Sequence, residues 1–250
     1  MATFVLVHGA WHGGWCWRDV KAVLERAGHA VFAATLTGLG ERSHLLSPAI
    51  DLETHIADVV NLLEWEELED VVLVGHSYGG MVITGVADAA KRRLRHVVYL
   101  DAFVPEDGES SASHIVRLMN PAATQADFDA EIARRRTGAN EAGGGVPDID
   151  RLFDIPDDLV AERAWVKRRV TSHPVGTQTT PIRLLNGGSD GLPRTYILCA
   201  AAPGRTPFMV LAERLRGTPG WTSRDLDTTH DAMVTMPAET AGILMEAAER

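Results

Sequence analysis

Reactive chemistry is concentrated in one short stretch, Gly75-His76-Ser77-Tyr78-Gly79-Gly80. It matches G-x-S-x-G, follows the apolar run Val71-Val72-Leu73-Val74 and precedes a helical pattern carrying Met81, Val82, Ile83 and Val86. A serine on a sharp strand-to-helix turn sits in a strained backbone conformation, and side chains at positions 75 and 79 would collide with the adjoining strand and helix. Glycine at both positions meets that demand. The start of the helix behind Ser77 supplies oriented N–H groups and partial positive charge where an oxyanion would develop. The pattern predicts a serine nucleophile for acyl transfer.

A hydroxyl is a poor nucleophile until a neighbouring imidazole accepts its proton. Ten histidines are available, and His230 is selected by its place in the polar turn Thr228-Thr229-His230-Asp231, between the last strand pattern and the C-terminal helical pattern. His76 is adjacent to Ser77 but is expected to point away from the reacting face. The orienting carboxylate is less obvious. It is expected after the strand pattern at 194–199, yet that loop reads Ala200-Ala201-Ala202-Pro203-Gly204-Arg205. The best substitute is Asp101, which ends the apolar run His96-Val97-Val98-Tyr99-Leu100, where an unpaired buried carboxylate would be costly. Alternatives stay open: Asp101 serving only the backbone of the turn Ala102-Phe103-Val104, Asp190 at the edge of the inserted segment, or a Ser–His dyad without an acid. Asp225, Asp227 and Asp231 read as exposed or structural.

His8-Gly9-Ala10-Trp11 follows the first strand pattern, so the backbone N–H groups of Ala10 and Tyr78 are the expected oxyanion donors. Trp11, Phe103 and Trp165 are the expected substrate-binding side chains, with ordinary packing as the competing role for the aromatic residues.

These groups need a scaffold that gathers strand ends. Strand patterns at 3–8, 30–34, 71–74, 96–101, 194–199 and 222–227 alternate with helical patterns at 17–27, 52–65, 79–90, 207–216 and 237–248. That alternation predicts an α/β fold, a mostly parallel sheet flanked by helices, with the carboxyl ends of all strands on one edge. Residues 105–191 break it, with helical segments at 110–119, 125–135 and 157–170, the Gly-rich linker Gly143-Gly144-Gly145 and no clear strand. They read as a helical cap inserted into a core made of 1–104 and 192–250, with the Gly-rich segment mobile.

Composition narrows the function classes. The formal charge of −10 disfavours nucleic acid and anionic membranes as partners. No stretch reaches transmembrane length, and the N-terminus reads as a first strand and not a signal peptide. Cys16 and Cys199 lack metal-ligand or CxxC spacing, so no metal, no disulfide scaffold and a cytoplasmic, reduced setting are expected.

The run Phe4-Val5-Leu6-Val7-His8-Gly9-Ala10-Trp11-His12-Gly13-Gly14-Trp15-Cys16-Trp17, the elbow at 75–80 and Thr229-His230-Asp231-Ala232-Met233 resemble bacterial relatives of the plant methyl esterase and hydroxynitrile lyase family. The similarity covers the core and is weak in the cap. It implies an α/β-hydrolase fold, a Ser–His–Asp mechanism without a cofactor, often a dimer, and roles for Ser77, His230, Ala10 and Tyr78 as above. The plant enzymes carry their acid where this chain has Ala202, so the resemblance does not assign Asp101. The lyases carry threonine at the position of Gly9 and lysine at that of Asp231, so hydrolysis of a small apolar or aromatic ester is expected over cyanohydrin cleavage. A lyase or cyclase on the same scaffold, and a non-catalytic ligand-binding protein, are the alternatives.

Overall fold

The computed structural model describes residues 1–146, 148 and 152–250. Six strands form one sheet: β1 (Thr3–Val7), β2 (Ala30–Ala34), β3 (Val71–His76), β4 (Leu94–Leu100), β7 (Arg194–Cys199) and β8 (Trp221–Leu226), in the order β2-β1-β3-β4-β7-β8. Every pairing is parallel. Alternate residues feed two separate cores. Val5, Val7, Val71, Leu73, Val97 and Tyr99 belong to one, while Phe4, Leu6, Val72, Val74, Val98 and Leu100 belong to the other. A strand buried on both faces needs apolar residues at every position, which explains why these strands read as unbroken apolar runs.

Helices α1 (Arg18–Arg26), α2 (Leu52–Trp65) and α3 (Gly79–Ala90) follow the first three strands. Asp51 caps α2 by accepting the Thr54 N–H at 2.9 Å, the local signal that starts this helix where the periodicity does. The chain moves outward from β1 to β2 and then returns across β1 to β3. That reversal opens a crevice beyond the carboxyl ends of β1 and β3, the place where ligands enter sheets of this kind. The turns holding Gly9, Ala10 and Ser77 leave the sheet at that point.

Between β4 and β7 lie α4 (Ser111–Met119), α5 (Gln125–Thr137), the two-residue strands β5 (Gly144–Gly145) and β6 (His173–Pro174), α6 (Val160–Lys167) and the short α7 (Gly176–Thr179). The segment read as having no clear strand pairs Gly144–Gly145 antiparallel with His173–Pro174. Two residues carry no periodicity, and glycine has no side chain to announce a strand, so the pattern was invisible in sequence. α6 is also shorter than the 157–170 pattern implied. After β7 come α8 (Pro207–Leu215), then β8, α9 (Ala232–Thr235) and α10 (Pro237–Ala248), which packs beside α1. Among the described residues no helix is long and apolar enough to cross a membrane.

Close approach joins α3 to the turn after β4. A Cβ on Gly80 would lie 2.0 Å from the Phe103 carbonyl oxygen and 2.8 Å from the Phe103 nitrogen. Both neighbours are backbone and cannot step aside cheaply. Gly80→Ala is therefore expected to lower unfolding free energy by about 2 kcal/mol or more, read as a reduced urea midpoint.

Buried histidines brace the same edge in their neutral form. His8 donates from Nδ1 to the Gly9 carbonyl at 2.8 Å and accepts the Leu36 N–H on Nε2 at 3.1 Å. His55 donates from Nε2 to the Thr37 carbonyl at 2.9 Å and accepts the Tyr78 hydroxyl on Nδ1 at 3.0 Å. Burial lowers His8 to about 3 and His55 to about 4. The unfolded chain thus binds protons that the folded chain refuses between those values and about 6.5. Stability is expected to fall as pH drops through that window, by about 2 kcal/mol per site at pH 5 relative to pH 7. Denaturation at the two pH values, repeated on His55→Gln, measures the His55 share; an unchanged pH dependence in that variant would remove His55 as a cause.

Candidate active site

The site begins with two strained turns. Ser77 has φ +53° and Asp101 φ +42°, both in the left-handed region that non-glycine residues rarely occupy. Backbone hydrogen bonds hold the two turns against each other. Ser77 donates its N–H to the Leu100 carbonyl at 3.2 Å and accepts the Phe103 N–H at 3.1 Å, while Asp101 donates its N–H to the Ile197 carbonyl at 2.7 Å. Space around the elbow is as tight as its sequence implied. A Cβ at position 75 would lie 2.7 Å from the Gly79 carbonyl oxygen, and one at position 79 would lie 2.9 Å from the carbonyl oxygens of Val7 and His8.

His230 lies between these turns. Its Nδ1 donates to Asp101 Oδ2 at 2.6 Å, and its Nε2 lies 2.9 Å from Ser77 Oγ. Because Nδ1 faces a carboxylate, the proton of the neutral ring belongs there, leaving Nε2 to accept the Ser77 hydroxyl. The other Asp101 oxygen, Oδ1, accepts the N–H of Cys199, the last residue of β7, at 3.2 Å. Asp101 therefore takes one backbone donor from β7 and one side-chain donor from the loop after β8. Burial opposes charge on the His230 ring, but the hydrogen bond and charge of Asp101, helped by Asp231, raise it above the ordinary imidazole value. Phe208, in the first turn of α8, stacks on the ring with centroids 4.9 Å apart and planes 14° from parallel.

Ala10 and Tyr78 flank Ser77 on a cavity of about 320 Å³. Among the described residues neither backbone N–H has an acceptor. Trp11 and Phe103 line the cavity with Ile115, Phe153 and Phe208, while Ser111, Arg135, Asp154, Gln178, Thr206 and Thr229 add polar side chains beside Ser77, Asp101 and His230. Trp11 is held at φ +66°, and its indole N–H donates to the Gly145 carbonyl at 2.8 Å. Trp165 is not brought to this cavity. Its ring meets Trp15 edge-on at 5.0 Å, with the guanidinium groups of Arg18 and Arg169 at 4.4 and 5.0 Å. An aromatic residue in an inserted segment has two faces to choose from, and its sequence neighbours do not say which.

The remaining carboxylates separate clearly. Asp190 pairs with Arg194 at 2.6 Å and Asp225 with Arg216 at 2.9 Å, both at the surface. Asp231, read as exposed or structural, is fully buried. Ala202 lies on the cavity wall, so the loop after β7 reaches the site without a carboxylate. Phe208 and Arg135 were not anticipated as site residues. Phe208 had one usable signal, since Thr206-Pro207 starts a helix just beyond the carboxyl end of β7. Cys16 and Cys199 are buried free thiols, and no metal-ligating cluster occurs among the described residues.

Comparison with known proteins agrees with this architecture. The alpha/beta hydrolase family matches residues 4–243. A carbendazim-hydrolyzing esterase from Nocardioides sp. (strain SG-4G) is 45% identical over 96% of this chain and 97% of that protein. Methylesterase 9 of Arabidopsis thaliana is 27% identical over 82% of this chain and 81% of its own length. Among solved structures, an extracellular alpha/beta-hydrolase from a Paenibacillus species covers 99% of both chains with TM-score 0.80 at 22% identity. A pyrethroid hydrolase covers 100% of this chain and 98% of its own with TM-score 0.74 at 22% identity. With the strand order, the strained serine turn and the match over nearly the whole length all in agreement, the chain belongs to the alpha/beta hydrolase family.

Proposed function

We propose that the chain is a serine hydrolase that cleaves a small, largely apolar carboxylic ester through an acyl-Ser77 intermediate. The observation that carries this reading is the continuous hydrogen-bonded chain from Asp101 through His230 to Ser77, at 2.6 and 2.9 Å, beside two unpartnered backbone donors. Ser77 Oγ attacks the ester carbonyl as His230 Nε2 takes its proton, and the N–H groups of Ala10 and Tyr78 receive the developing oxyanion. The protonated His230 then gives its proton to the departing alcohol. Water, deprotonated by the same nitrogen, releases the acid from Ser77. Asp101 holds the tautomer and stabilises the imidazolium, standing in for a carboxylate after β7.

The cavity supports a substrate of modest size with an apolar or aromatic body, bounded by Trp11, Phe103, Phe153 and Phe208. Residues 105–191 act as the cap over a core of 1–104 and 192–250, since Ile115, Arg135 and Phe153 close the cavity from that side. The 45% identity to a carbendazim-hydrolyzing esterase makes carbendazim a substrate to test. Lyase chemistry is not favoured. A Cβ at position 9 would lie 2.8 Å from His76 Nδ1 and 3.0 Å from Ser77 Cβ, and Asp231 turns away from the cavity.

A panel of chromogenic short-chain esters together with carbendazim tests the proposal. The parent is expected to turn over at least one member, Ser77→Ala none, and Asp101→Asn about 10⁴-fold less than the parent. Near-full activity in Asp101→Asn would return that residue to a structural role, and an inert parent would remove the esterase reading. Protonated His230 cannot accept the serine proton, so kcat/KM is expected to fall with decreasing pH through a pKa above about 6.5. The pH profile of the parent measures that limb directly.

A further inference from the structure

Beneath the site lies a second group of ionisable side chains that the proposed reaction does not use. His12, His76 and Asp231 are all fully buried. His12 presents Nδ1 to the Ala10 carbonyl at 2.9 Å and Nε2 to Asp231 Oδ2 at 3.2 Å. Both partners are oxygens, so each nitrogen of the His12 ring faces an acceptor atom across the gap between the two loops. His76 donates from Nε2 to the His230 carbonyl at 3.0 Å, with Asp231 Oδ1 3.9 Å away.

Each contact fastens a different part of the site. Ala10 carries one unpartnered N–H beside Ser77, Asp231 directly follows His230, and His76 directly precedes Ser77. Asp231 also occupies the N-cap position of α9, where an aspartate side chain normally accepts a helix N–H. It makes no such bond and turns inward to His12. Its Oδ1 and His76 Nδ1 have no hydrogen-bond partner among the described residues. A buried pair with orphaned atoms is a poor source of stability, whereas its direction and length constrain the two loops that it joins.

We infer that His12 and Asp231 are positioning residues, a buried strut that holds the oxyanion loop and the His230 loop at the separation the reaction requires. The inference rests on the serine-hydrolase reading above. A displacement of about 1 Å between reacting groups costs up to about 10²-fold in rate, so a strut remote from substrate can act strongly on kcat. Asp231→Asn would keep the contact, because its amide N–H can donate to His12 Nε2 while Nδ1 donates to the Ala10 carbonyl, so Asp231→Ala is the variant that removes it.

The test combines Asp231→Ala, His12→Gln and the double variant, each first checked for a cooperative melt. Two readouts are taken: kcat and KM on an ester that the parent cleaves, and the rate at which an aryl fluorophosphonate labels Ser77. Ser77 Oγ bonds to the label's phosphorus and displaces fluoride while His230 takes the hydroxyl proton, so the readout needs no knowledge of the natural substrate. Each single variant is expected to lose about 10- to 100-fold in kcat and in labelling rate with KM within about twofold. The double variant is expected to be no worse than the poorer single, because the two residues act as one unit. Parent-like labelling and kcat in both single variants, or losses that multiply in the double, overturns the strut. A parent that the fluorophosphonate does not label overturns the serine-hydrolase reading first, and the strut with it.

Discussion

The hydrogen bond between His230 Nδ1 and Asp101 Oδ2 joins residues 129 apart in sequence and engages a carboxylate that is buried. A carboxylate in such a place is tolerable only when donors face it, and Asp101 has two, the His230 ring and the Cys199 N–H. Both donors exist because β4, β7 and β8 are parallel neighbours whose carboxyl ends share one edge. No carboxylate stands in the Ala200-Ala201-Ala202 turn after β7, and the one that meets His230 comes from the end of β4. The N–H that ends β7 still contributes, as a backbone donor to a carboxylate that comes from next door.

Strain is the second dependence. Ser77 and Asp101 both hold left-handed backbone angles, and each would relax if its turn were free. They are not free, because the turns hydrogen-bond to each other and to the sheet. Glycines at the elbow let α3 and the turn after β4 approach to backbone contact, which places the serine hydroxyl and the carboxylate on either side of one imidazole. Packing thus converts local strain into a fixed geometry.

Much of the fold was legible because its strands are buried on both faces. Such strands show as continuous apolar runs, and β2, β7, α2, α3 and α10 begin and end where their patterns do. The inserted segment was harder. Its helices were visible from periodicity, but the β5–β6 pair rests on glycines, a histidine and a proline, which announce no strand. Side-chain direction was also hidden there, so the sequence did not show that Trp165 packs against Trp15 while Phe153 reaches the cavity.

The sequence by itself determined the alternation of strands and helices, and with it the edge on which Ser77, His230 and Asp101 had to emerge. It also determined that no carboxylate follows β7, since Ala200-Ala201-Ala202 contains none. Only the tertiary structure decided that Asp101 meets His230 at 2.6 Å, that Asp231 turns inward to His12, and that Phe208 stacks on the imidazole. The reason is physical: periodicity and turn chemistry act over a few residues, whereas hydrogen bonds and ring contacts between distant loops depend on how the whole sheet brings its strand ends together.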